Sequence, residues 1–457
     1  MPTTNQPNSE EDRNSRGHLN RRQLLKQAAA STVAVSAVAT FTGGSSASPT
    51  QGNMSADLLA QEITLKLNGR TGAEQEMFEK FIAQFSESHP EIKIEGEYFA
   101  GANQEYFQKV AVLFAGGNPG DLVWLSSLEG YYDYAARESL LPVDEYITRD
   151  AIDGSEWYSS AYEMMEVEGS RYALPLWSHP SIVGLYYNQD ILEEGGVGIP
   201  DETWDTDQLA SAAESLTKIS GRTYEQMGYY PATQFFNGLS QVIPSFGGQV
   251  ISDDGTTITI DTPEAKAALQ WLQDLFVTSK VAPPPGQQDI GQIMASGKGA
   301  MRSGGYWDRW AAETTWEFNW GMAPMPKGPA GTNGAMLQTD AFAISAGTQN
   351  PDAAWEFEKF ATSHDAGMIL WDSNYIPGSR PDVWEDPAVM ENEIHSIWIK
   401  AMQEAAPLRY PANFRLREFE IAMDQILGNL WLGNRTVDEA VAEAMATGQE
   451  IMDKPIS

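Results

Sequence analysis

No cysteine occurs among the 457 residues. That excludes disulfide frameworks, thiolate metal sites, cysteine nucleophiles and lipid attachment through an N-terminal cysteine. Cationic residues are scarce as well: 29 Lys and Arg stand against 63 Asp and Glu, a formal net charge of −34. Such a polyanion is repelled by nucleic acid and by anionic membrane surfaces. The five histidines, at 18, 89, 179, 364 and 395, lack metal-ligand spacing. There is no GxSxG, no phosphate-binding GxxxxGK[ST] loop, and no GxGxxG between strand and helix. No apolar run reaches the ~20 residues of a membrane span. Neither a metal nor a cofactor is expected.

What is present is enough to fold. An apolar fraction of 42% with 11% aromatics builds a real core. The length permits two to three domains, or one two-lobed protein. The acids are scattered, not packed into one block. They read as a solvated, salt-adapted exterior, with an acidic partner-binding surface as the alternative.

The N-terminus reads as an export signal. Arg21 and Arg22 precede a modest apolar run, Gln27 to Phe41, and a small-residue exit, Gly43 to Ser48. The paired arginines resemble a twin-arginine signal, whose cargo is exported folded. Residues 1–47 are assigned to the signal and 48–60 to a linker.

Along the rest of the chain, Ile63–Leu67 alternates as a strand. Glu74–Ser88 has helical spacing, with Met77, Phe78, Phe81, Ile82 and Phe85 on one face and Pro90 stopping it. Ile92–Gly96 reads as a strand, Tyr106–Phe114 as a helix and Asp121–Leu125 as a buried strand. Strand, helix, strand, helix, strand marks an α/β layered domain. Beyond it, strands are expected at Ile182–Tyr187, Thr256–Ile260 and Ala341–Ile344. Helices are expected at Asp207–Ile219, Pro263–Ser279, Pro351–Thr362, Glu391–Glu404, Leu416–Leu430 and Val437–Met452.

Five segments carry a resemblance: Phe85–Ile94, FSESHPEIKI; Phe107–Leu125, FQKVAVLFAGGNPGDLVWL, with ESLLPVDEYI at 138–147; Tyr172–Asp190, YALPLWSHPSIVGLYYNQD; Gly297–Asp308, GKGAMRSGGYWD, with Gly321–Gly328, GMAPMPKG; and Asp340–Phe360, DAFAISAGTQNPDAAWEFEKF. In this order and spacing, from about Ile63 to Met452, the chain resembles the extracellular solute-binding proteins of ABC importers. The nearest group is the carbohydrate-binding one that includes maltose-binding protein. The resemblance implies a type II periplasmic-binding-protein fold, two α/β lobes joined by a three-segment hinge with ligand in the cleft. The lobes would be 61–174 with 341–384, and 177–338 with 387–457. Crossings are placed near Leu174–Trp177, Leu337–Asp340 and Val383–Asp386. It also implies a non-enzymatic, monomeric receptor in the periplasm or at the outer cell surface. Such a receptor hands a carbohydrate to ABC permease subunits by hinge closure, and a retained signal helix is one means of tethering. A secreted carbohydrate-active enzyme, or a receptor for a polyamine or glycerol phosphate, are the alternatives.

A sugar site needs flat aromatic platforms and convergent planar polar groups. Trp307 stands in Gly304-Gly305-Tyr306-Trp307, where the family places a sugar-stacking Trp; the alternative is a packing Trp below the cleft. Tyr306 and Arg309 flank it. Trp124 ends a strand on the crevice edge, and Glu129 lies just beyond. Asn68 and Arg70 follow the first strand, although NGRTG lacks the family's usual acid. Trp177 sits at the first crossing, with His179 read as a structural histidine. Phe235 and Asn237 match a family stretch with one aromatic and one polar contact. Asp340 begins a strand at the second crossing, and Tyr375 lies on a cleft loop.

Overall fold

The computed structural model describes residues 63–101, 103–252, 255–287, 290–407 and 416–454. The expected signal and linker, 1–60, lie outside these residues. Strands β1 (Ile63–Arg70), β2 (Ile92–Phe99) and β3 (Leu122–Ser126) open the chain. β1 pairs in parallel with both others, so β1 is interior and β2 is an edge. The Ala73–Ser88 helix covers them, burying Met77, Phe78, Phe81 and Phe85. Its end is set by Pro90, because the residue before a proline avoids the helical region. Each fully buried Phe stabilises by roughly 1.5–3 kcal/mol. Phe78, Phe81 and Phe85 meet Phe342, Phe357 and Phe360 from the far end of the sequence in one ring cluster.

A short hairpin follows, β4 (Glu166–Val167) with β5 (Ser170–Arg171), and then β6 (Trp177–His179). The second sheet comprises β7 (Gly184–Asn188), β8 (Lys218–Ser220), β9 (Thr223–Tyr230), β10 (Gly299–Gly304) and β11 (Trp320–Pro324). Its order is β11-β7-β10-β9-β8. The chain then returns through β12 (Met336–Ile344), and later β13 (Ala406–Pro407), to give the first sheet the order β13-β12-β3-β1-β2. β12 runs antiparallel to β3 and to β6, which sits off this path. The result is two mixed α/β layers, with the chain passing outward between His179 and Gly184 and back between Pro324 and Met336. Both passages fall on the second-sheet side of the positions expected from sequence, because β6 pairs with the first half of β12.

After β12, the Pro351–Ala361 and His364–Asp372 helices pack on the Ala73–Ser88 helix. The Glu393–Glu404 helix packs on β11. The Leu416–Trp431 and Val437–Met452 helices pack on each other and on the Pro263–Val277 helix. Two expectations change. Thr256–Ile260 is not a strand; among the described residues it pairs with 250–252, through the Ile251–Ile258 bridge and two backbone hydrogen bonds, Ser252 N–H to the Thr257 carbonyl and Thr259 N–H to the Val250 carbonyl, and does not join either sheet. The helix expected to run to Ile219 stops at Leu216, and Lys218–Ser220 turns back as β8 against β9.

Candidate functional site

The residues singled out in the sequence gather into two aromatic groups. The first lies along β1, β3, β6 and β12. Trp124 and Asp340, expected to end and to begin their strands, are mid-strand, because β3 runs on to Ser126 and pairing with β6 starts β12 at Met336. Trp177 stacks on Phe78 at 5.9 Å between ring centroids and lies 6.0 Å from Trp124. Its indole Nε1–H donates to Asp340 Oδ2 at 2.8 Å. Arg70 lies over the Trp124 ring, 5.5 Å from the centroid, and its Nε donates to Glu74 at 3.3 Å. The Tyr375 hydroxyl donates to the same Glu74 carboxylate at 3.2 Å. Asp340 Oδ1 and Trp124 Nε1 are buried without a hydrogen-bond partner. Burial pushes the Asp340 carboxyl up to about 7, against the opposing effect of its polar neighbours Ser126, Trp177 and Trp124. Asn68 is interior to the sheet, its amide donating to the Pro119 carbonyl, and its Oδ1 lacks a partner.

The second group begins where β10 ends. Gly305 allows a tight approach, since a Cβ there would collide with the Trp307 ring. Trp307 is half-buried and meets His179 edge-to-face, at 4.7 Å between centroids. Tyr306 points the other way, into the interior, between Trp384 and Trp398. Its hydroxyl accepts from Arg309 at 3.3 Å and is left to donate to His395 Nδ1 at 3.1 Å. Burial raises the phenol above its ordinary range. Arg309 also donates to Asn374 at 3.1 Å, lies 4.3 Å over the Trp371 ring and has Glu313 at 3.7 Å. Asn374 and Tyr375 thus join the groups, one bonded to Arg309 and the other to Glu74.

The remaining residues lie elsewhere. Phe235 is interior, edge-to-face with Phe236 and Phe419. The Asn237 carbonyl accepts from Ser181 at 3.3 Å. Glu129 lines a cleft of about 250 Å³ with Phe107, Leu128, Tyr134, Arg137 and Glu420. That cleft separates first-sheet elements from the Leu416–Trp431 helix, which packs on the second-sheet side.

Glu74 and His395 were not singled out in the sequence. A signal existed for both. Glu74 shares a stripe with Phe78, Phe81 and Phe85, and His395 one with Trp398 and Met402. A titratable group on an apolar stripe is buried and must find partners. Among the described residues no group of three His, Asp or Glu is placed to hold a metal ion, and no helix is long and apolar enough to cross a membrane.

Residues 71–368 match the family described as bacterial extracellular solute-binding protein. The chain belongs to that family. Its relatives include a maltotriose-binding protein of Pyrococcus abyssi, 25% identical over 73% of this chain and 70% of the relative. Another is an arabinooligosaccharide-binding protein of Halalkalibacterium halodurans, 24% identical over 70% and 72%. Among solved structures, an ABC substrate-binding protein of Listeria monocytogenes in complex with cycloalternan superposes with a TM-score of 0.78 at 20% identity. It covers 86% of this chain and 99% of the other. A maltotriose-bound maltodextrin-binding domain of Bdellovibrio bacteriovorus gives a TM-score of 0.73 at 17% identity, over 86% and 100%. The fold is therefore the two-lobed one of periplasmic sugar-binding proteins, and the family is one of solute-binding receptors rather than of enzymes.

Proposed function

We propose that the protein is an extracytoplasmic carbohydrate receptor. It takes up a sugar or oligosaccharide by closure of its lobes and delivers it, as a monomer and without chemical turnover, to ABC permease subunits. The lobes are proposed as 61–174 with 341–384, and 177–338 with 387–457, with β6 and the first half of β12, which pair with each other on the edge of the first sheet, forming part of the hinge between them. Twelve residues are proposed to shape or support the ligand site: Asn68, Arg70, Trp124, Glu129, Trp177, Phe235, Asn237, Tyr306, Trp307, Arg309, Asp340 and Tyr375. Cleavage of a signal within 1–47 would release the receptor beyond the inner membrane; retention of that segment would tether it.

One observation supports a neutral ligand above the others: the arginines of both aromatic groups already have partners. Arg70 is bonded to Glu74, and Arg309 to Tyr306 and Asn374 with Glu313 near. A glycerol phosphate needs uncommitted cations, and a polyamine needs several convergent carboxylates, whereas in the first group Glu74 is bonded to Arg70 and Tyr375 and Asp340 to Trp177. A neutral glycan needs neither; it needs rings for its C–H faces and dipolar groups for its hydroxyls. The relatives' names point the same way.

Thermal unfolding and tryptophan fluorescence of the 48–457 chain test this against maltotriose, arabino-oligosaccharides, mannitol, spermidine and glycerol 3-phosphate, in low and high salt. A ligand that binds only the native state stabilises it by about 4 kcal/mol at a thousandfold excess over Kd. A rise in melting temperature with one neutral sugar class is expected. A rise with spermidine or glycerol 3-phosphate alone would overturn the substrate class and leave the fold untouched. Sustained product release from a bound oligosaccharide would overturn the receptor reading.

A further inference from the structure

Ser181 has φ 64°, in the left-handed region that residues with a side chain rarely occupy. Backbone strain of this kind persists where surrounding contacts over-determine it, and it concentrates at ligand clamps and hinges. Three hydrogen bonds fix Ser181. Gln338 Nε2 donates to its hydroxyl at 3.0 Å, the hydroxyl donates to the Asn237 carbonyl at 3.3 Å, and its backbone N–H donates to His179 Nδ1 at 3.3 Å.

The third bond has a chemical consequence. A ring nitrogen that accepts a hydrogen bond carries no hydrogen, so a neutral imidazole held this way has its N–H at Nε2. His179 is kept neutral by burial, which lowers its imidazole to about 3. No described residue accepts from Nε2. The imidazole meets Trp307 at 4.7 Å between centroids, with 71° between the planes. His179 belongs to β6, paired to the first sheet, and Trp307 follows β10 of the second. A donor of fixed tautomer, without a protein acceptor, thus stands where the two layers meet and beside a half-buried aromatic face.

Resting on the carbohydrate reading above, we propose that His179 is a ligand contact whose Nε2–H donates to an uncharged oxygen of the bound glycan, a hydroxyl or a ring oxygen, lying against Trp307. Ser181 is the positioning residue that sets the tautomer. The ligand is uncharged at this point: a cationic group would face a donor, and an anion would find Arg309 committed to Tyr306 and Asn374.

The test uses wild type, His179→Phe and His179→Gln with the neutral sugars maltotriose, an arabino-oligosaccharide and mannitol. Calorimetry measures affinity, the unliganded melting temperature reports on folding, and ¹⁵N-imidazole NMR of the wild type identifies the tautomer. His179→Phe keeps the ring contact and loses the donor. It should weaken binding of the sugar that wild type takes by roughly tenfold, the effect of one lost hydrogen bond. His179→Gln, which retains a donor, should recover part of that loss. In the wild type the Nε2 resonance should be that of a protonated nitrogen and should shift when sugar is added. Binding by His179→Phe within twofold of wild type, an Nδ1–H tautomer, or an Nε2 resonance indifferent to sugar would overturn the proposal. If His179→Phe does not fold, the wild-type resonance decides alone. If wild type binds none of the three sugars, the carbohydrate reading has failed and takes this proposal with it.

Discussion

The Asp340 carboxyl is buried on β12, one oxygen bonded to Trp177 and the other without a partner. Its proton affinity is raised to about 7, so the native state binds a proton that the unfolded chain releases near pH 4. Stability from this group is therefore present below pH 4 and is lost as pH rises toward 7. His179 works in the opposite sense. Lowered to about 3, it stays neutral in the native state while the unfolded histidine takes up a proton below about 6.5. Its contribution is present above pH 6.5 and is lost on acidification toward 3. Denaturant midpoints at pH 4, 5.5 and 7 should separate the two. In wild type the two contributions oppose each other between pH 4 and 6.5, so Asp340→Asn should make stability rise more steeply with pH than it does in wild type; equal slopes in both proteins would refute the assignment. Trp177→Phe should lower stability by about 1–3 kcal/mol, because it leaves the buried carboxyl unpaired. The sequence made Trp124, Trp177, Asp340 and Tyr375 visible one at a time, as aromatic or polar residues at predicted strand ends and loops. That they converge on Glu74 and Arg70 was not visible, since their pairing is long-range and one acid among 63 carries no mark of its own.

At the scale of elements, local rules wrote most of the boundaries. The Val437–Met452 helix has the residues expected from its periodicity, and a reciprocal cap explains its sharp start: Thr436 accepts from the Glu439 backbone while Glu439 bonds back to Thr436. Thr436→Ala should destabilise by about 1 kcal/mol, read from a denaturant melt. The Ala73–Ser88 helix carries more weight. Phe78→Ala should cost about 3–5 kcal/mol, since that ring touches Phe81, Trp124, Trp177 and Phe342 and its loss opens a cavity among them. Where periodicity failed, tertiary pairing was the reason. β9, Thr223–Tyr230, alternates only at its exposed start and is buried thereafter, so its pattern changes midway. Thr256–Ile260 alternates well but pairs with the short stretch 250–252 and joins neither sheet. A strand's fate depends on its neighbour as much as on its own residues.

For the whole molecule, the two sheets and their order along the chain followed from resemblance more than from periodicity. The placement of the crossings depended on a three-residue strand, β6, too short to leave a pattern. The net charge of −34 makes a separate claim. Self-repulsion of that size disfavours a compact state, and it is screened as the Debye length falls from about 10 Å at 0.1 M salt to about 3 Å at 1 M. The melting temperature should rise as KCl is increased from 0.01 to 1 M. A fall over that range would mean that the exposed ion pairs outweigh the repulsion, against the salt-adapted reading of the surface.

The position of β12 between β3 and β13 also sets an order in time. Ser126 on β3 finds its partner in Asp340, made some two hundred residues later. Until β12 is synthesised, β3 keeps one edge open, and an open apolar edge invites pairing with other chains. Long loops must also close before such a sheet gains anything from closing, which makes assembly slow. A nascent chain of this design is vulnerable for the whole length of the second sheet. It benefits from finishing its assembly before it meets a membrane, and a route for folded cargo, of the kind the Arg21–Arg22 pair resembles, would meet that need.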